Sequence, residues 1–96
     1  MTRNPERSMW AAVVLTALDD FNRDYCRAVR QGEDPAPVLT AVRRYFNSRD
    51  GRTVCACAGL HIGPDQAVAA IAMPRRDFKQ RQRQDDKRNP ELRAAE

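Results

Sequence analysis

Large apolar residues recur at helical spacing from the start of the chain to Gly32: Trp10, Val14, Leu18, Phe21, Tyr25 and Val29. A period of three to four residues commits this third of the sequence to one long amphipathic helix with a wide apolar face. Its ends are marked. Asn4 can cap the first turn, Pro5 suits the first helical position, and Glu6 lies at the positive end of the helix dipole. Gly32 is placed to stop the helix, and Arg23, Arg27 and Arg30 gather towards its negative end. The apolar face needs covering. In a chain of 96 residues there is room for one domain with one modest core. The rest of the sequence must therefore supply that cover.

It does so with more helices. Asp34-Pro35 starts a second one, with Val38, Leu39, Val42, Tyr45 and Phe46 as its stripe. Asn47-Ser48 interrupts it, and Ser48 can cap a third helix over about 49–58. Val54, Cys57 and Ala58 supply that helix's apolar positions, and Gly51 weakens its first turn by up to about 1 kcal/mol relative to alanine. Gly59 stops it, which leaves Leu60 to pack back on the core. Gly63-Pro64 opens a fourth helix with Ala67, Val68 and Ile71 facing inward, ended by Pro74. Strand-type alternation is absent and no structural unit repeats. The expected class is all-α, a compact bundle of about four helices over residues 1–74.

After Pro74 the composition changes. Residues 1–74 carry nine basic and eight acidic side chains, a net of +1; residues 75–96 carry eight and five, a net of +3. Most of the formal +4 thus sits in a basic tail, 75–96, with Phe78 its one large apolar residue before Leu92. Such a segment reads as a solvated extension, helical or disordered. Asn89-Pro90-Glu91 repeats the opening cap pattern and can start a last short helix. A moderate basic excess favours acidic partners such as nucleic acid.

Three cysteines, an odd number, argue against a disulfide scaffold and for a reducing, cytoplasmic setting. The apolar run from Met9 to Leu18 is too short to span a membrane, and Asp19-Asp20 follow it where a secretory leader would place small residues. No metal site is expected. Cys55-Ala-Cys57 is spaced too tightly for a zinc knuckle, its two thiols point apart on a helix, and His61 is the lone histidine. These thiols read as small buried apolar groups, and His61 as a turn residue. Asp19, Asp20 and Asp24 alternate with Arg23 and Arg27, as on a solvated ion-paired face. No nucleophile, phosphate loop or metalloprotease motif accompanies them, so neither an enzyme nor a cofactor is expected.

The segment 48–73 has the outline of a helix-turn-helix, a common device for placing a helix in a DNA groove. A small residue in its first helix (Cys55) and a turn glycine four positions later (Gly59) fit the usual pattern. The next apolar anchor, Val68, falls nine positions after Gly59, three more than usual. The exposed face of the second helix would carry Asp65, Gln66 and Ala69, with Arg75 and Arg76 just beyond. Gln66 suits an adenine edge; Arg75 and Arg76 suit guanine or phosphate. Lys79, Arg81 and Arg83 can follow the phosphate backbone, against the opposing charge of Asp77, Asp85 and Asp86. Joining two helices purely for packing is the competing account of the same turn.

Four stretches carry a resemblance: Trp10-Ala-Ala-Val-Val-Leu, Arg44-Tyr-Phe-Asn-Ser-Arg-Asp, Val54-Cys-Ala-Cys-Ala-Gly-Leu and Pro64-Asp-Gln-Ala-Val. Over residues 8–72 the chain resembles small uncharacterised helical proteins of phages and prophages in GC-rich bacteria. It departs from them at Gly51, where they carry an aromatic, and at His61-Ile62-Gly63, which resembles an insertion in the turn. The resemblance implies a phage-encoded helical protein with a regulatory or host-directed role. Two functions are therefore expected. One is DNA binding through Gln66, Ala69, Arg75, Arg76, Lys79, Arg81 and Arg83. The other is inhibition or adaptation of a host protein or nucleoprotein complex, with the long first helix also able to pair two copies as a homodimer.

Overall fold

The long apolar stripe becomes helix α1 (Pro5–Arg30), 26 residues and the spine of the molecule. The computed structural model describes the backbone of residues 5–88 and the side chains of residues 6–84. Along this span the chain continues as α2 (Ala36–Asn47), α3 (Arg49–Cys57), α4 (Pro64–Ile71) and α5 (Arg75–Arg88), with no strand among the described residues. The cap expected at Asn4 and the short helix expected from Asn89 lie outside them.

Both glycine stops form. Gly32 and Gly59 have φ near +70°, and each begins a reversal in which the next amide reaches back over the last turn. Glu33 N bonds Ala28 O at 2.8 Å, and Leu60 N bonds Cys55 O at 2.9 Å. At the start of α3, Ser48 Oγ accepts from Gly51 N at 3.0 Å and donates to Tyr45 O at 2.6 Å. One hydroxyl thus closes α2 and opens α3.

The core draws on all five helices: Ala11, Val14 and Leu18 of α1, Val42 and Phe46 of α2, Cys55 of α3 and Ala58 just after it, Ala67 and Ile71 of α4, and Phe78 of α5. Each large aliphatic or aromatic side chain buried here contributes about 1.5–3 kcal/mol relative to exposure. Helices α3 and α4 each pack mainly on α1 and α2 rather than on one another. Tyr45 joins the aromatic seam, 6.0 Å from Phe21 and 5.0 Å from Phe46 between ring centroids.

Several details differ from the sequence reading. Within α3 the buried thiol is Cys55, while Cys57 is exposed. Val29 is exposed at the end of α1. Gly51 is buried, and a β-carbon there would collide with the Tyr45 carbonyl. Its role is close approach of α2 and α3, not a weak first turn. Pro74 does not end α4, which stops three residues earlier at Ile71. It opens α5 instead, accepting from Phe78 N at 3.0 Å. The charged segment after Pro74 is helical through Arg88, and its Phe78 is buried in the common core.

Candidate nucleic-acid interface

The seven residues expected at a DNA surface separate into three sets. The first is Arg75 alone. Its Nη1 donates to Asn22 Oδ1 at 2.9 Å, and its Nη2 meets Asp19 Oδ1 at 2.8 Å. The guanidinium also lies 5.6 Å from the centroid of the Phe78 ring. Arg75 is therefore committed to joining α5 to α1. Its partner Asn22 is fully buried, and its amide donates to Ile71 O at 2.9 Å and Met73 O at 3.0 Å. Asn22 thus terminates α4 and shapes the link to α5. Sequence reasoning missed it. An asparagine beside Phe21 and one turn after Leu18, on an otherwise apolar stripe, was the available signal, because a buried amide must find partners.

The second set is a groove. Gln66 and Ala69 of α4 and Arg81 of α5 line a hollow of about 280 Å³, with Leu15 and Leu18 of α1 and Ala70, Phe78 and Gln82. Gln66 is already engaged, since its Oε1 accepts from Gly63 N at 2.8 Å. That bond satisfies the start of α4, where glycine has no side chain to offer. Reading adenine requires the amide's donor and acceptor together, and the acceptor is occupied. Asp65, beside it, is 93% exposed and lies 3.3 Å from Arg43 Nε.

The third set is a cationic stripe. Arg76, Lys79 and Arg83 are exposed on α5 and, at 100° per residue, fall within a sector of about 60°. Arg76 is 93% exposed. Helix α1 extends the stripe. Asp19 lies between Arg23 Nε at 3.1 Å, Arg75 Nη2 at 2.8 Å and Lys79 Nζ at 3.8 Å. One carboxylate is thus shared by three cations, of which Arg23 is 60% and Lys79 49% exposed.

Residues 3–89 match the family of unknown function DUF6280. The chain belongs to that family. Comparison with curated proteins and with solved structures returned no match. Membership in DUF6280 covers all five helices, so stripe, groove and clamp all lie within the shared unit.

Other candidate sites are sparse. Among the described residues no group of three or more His, Cys, Asp or Glu side chains is placed to hold a metal, and no helix is long and apolar enough to cross a membrane. His61 is exposed in the α3–α4 turn, where it lines a shallow hollow with Arg52, Cys55, Ala56 and Leu60.

Proposed function

We propose that this protein is a small DNA-binding protein of phage or prophage origin with a regulatory role, and that α5 is its phosphate-binding element. The observation that carries this reading is the single-face alignment of Arg76, Lys79 and Arg83, extended by Arg23 across an oversubscribed Asp19. Cations in a row match the repeat of a phosphate backbone and release its counterions on binding. Helices α3 and α4, joined through the 58–63 turn, are the helix-turn-helix-like pair of this reading. Asp65, at the start of α4, keeps that end off the phosphates and leaves the leading contact to α5. The test is titration of the full-length protein into fluorescein-labelled duplex DNA at rising salt. Micromolar binding that weakens steeply with salt, and that Arg76→Ala with Arg83→Ala impairs, supports the reading. Absence of binding at low salt ends it.

A second reading is a phage-encoded inhibitor or adaptor of a host protein. Met9 is 55% exposed and Val13 40% exposed, one turn apart on α1, beside a half-buried Trp10. That apolar patch suits a protein contact, including a second copy of the chain. Sedimentation with and without Val13→Glu distinguishes a homodimer from a monomer that presents the patch to another protein.

A further inference from the structure

The groove between α1, α4 and α5 is separate from the cationic stripe, and its lining differs in kind. Its floor is apolar: Leu15 and Leu18 from α1, Ala69 and Ala70 from α4, and Phe78 from α5. Depth comes from the paired alanines, because larger side chains there would fill the space between α1 and α5. Its rim is Gln66, Arg81 and Gln82, two amides and a cation, with no carboxylate among the described lining residues. At about 280 Å³ it lies just below the usual ~300–1,000 Å³ of small-molecule sites. That volume suits one or two apolar side chains projecting from a larger partner.

We propose that this groove docks an acidic amphipathic helix of a partner protein, with apolar anchors in the hollow and carboxylates on Arg81. Charge complementarity selects this occupant. The rim offers the Arg81 guanidinium and the amide donors of Gln66 and Gln82. A helix laid in an apolar groove is read through anchors one turn apart. The flanking charges set orientation and exclude basic competitors. The inference is independent of DNA binding, since the stripe and the groove share no residue.

Methyl-labelled full-length protein is titrated with a synthetic amphipathic helix bearing leucine and phenylalanine one turn apart and glutamates elsewhere. A matched helix with lysine in place of glutamate is the control. The expected result is submillimolar binding of the acidic helix, read as shifts of the Leu15, Leu18, Ala69 and Ala70 methyls. The lysine helix binds at least about tenfold more weakly, and Arg81→Glu reverses that order. Ala69→Trp fills the hollow and blocks binding; its fold is checked by methyl dispersion, and Arg81→Glu carries the test if it unfolds. Arg76→Ala with Arg83→Ala leaves the groove shifts in place. Equal response to both helices, no groove shifts, or groove shifts produced by a DNA oligonucleotide instead overturns the proposal.

Discussion

Asn22 accepts a hydrogen bond from Arg75 at 2.9 Å while its own amide spans the carbonyls of Ile71 and Met73. Three bonds from one buried side chain thus fix the end of α4, the link after it and the start of α5. The orientation of α5 depends on this group together with the buried Phe78.

Removing Asn22 takes one of two donors from the Ile71 carbonyl, which keeps the Met73 amide at 2.9 Å. Each lost hydrogen bond costs about 0.5–1.5 kcal/mol, and the Met73 carbonyl keeps the weak Cys26 thiol at 3.4 Å. Asn22→Ala is therefore expected to lose about 2–3 kcal/mol in urea denaturation. Arg75→Ala is expected to lose about 1–3 kcal/mol, because it takes the donor from the buried Asn22 Oδ1, while Asp19 keeps Arg23 and Lys79. Asn22→Asp separates the two halves of the clamp. It keeps an acceptor for Arg75 but aims a carboxylate at two carbonyls. Its stability should recover as pH falls, since the protonated acid regains one donor. A pH-independent loss would mean that the carbonyl bonds contribute little.

Gly51→Ala tests the close approach of α2 and α3. On helix propensity alone the change would stabilise by up to about 1 kcal/mol. The new methyl instead collides with the Tyr45 carbonyl, which is backbone and cannot swing aside. Overpacking of this kind costs about 1–3 kcal/mol. A fall in melting temperature is expected, with a larger fall for Gly51→Val.

Helix periodicity, caps and glycine stops were legible because they are local physics. Gly32, Ser48, Gly59 and Pro64 each act through neighbours a few residues away. The role of Gly51 was not legible, because it depends on how closely two helices approach. Arg75 was misread for a related reason. Exposed and clamped arginines look alike in sequence, and only the fold brings Asp19 and Asn22 against this one. The choice between Cys55 and Cys57 also rested on the phase of a short helix, where a single step reverses inside and outside. Phe78 carried the clearest unused signal, a lone aromatic in a charged segment four residues after a proline.

Alkaline pH should destabilise the fold through two groups in the same seam. Burial holds the Tyr45 hydroxyl above its ordinary value of 10.0, with the Cys55 and Asp50 charges adding to the effect. Burial likewise raises the Cys55 thiol above 9.0. In both cases the unfolded chain releases its proton first. Stability is thus fully present below pH 9 and declines as pH rises through 9–10 and beyond. Tyr45→Phe should remove part of that decline, read as a shallower loss of urea midpoint with pH. Thiol labelling adds a second readout. Exposed Cys57 reacts in the native state, and buried Cys55 reacts only on unfolding.

The division of the basic residues into clamp, groove and stripe makes the last prediction specific. If α5 meets phosphates, Arg76→Ala, Lys79→Ala and Arg83→Ala should each weaken duplex binding regardless of sequence. Each should also lower the salt slope by about 1, the signature of one lost phosphate contact. Arg23→Ala should behave like Lys79→Ala, because both flank Asp19. Asp19→Asn should strengthen binding at low salt, at a cost in stability because Arg75 loses its carboxylate and keeps Asn22 and the Phe78 ring. Gln66→Ala should weaken the start of α4 by about 1 kcal/mol yet leave DNA affinity unchanged, since its acceptor caps the helix at Gly63. Anisotropy titrations across a salt series measure all of these. Equal losses at Gln66 and the stripe would place α4, not α5, against the DNA.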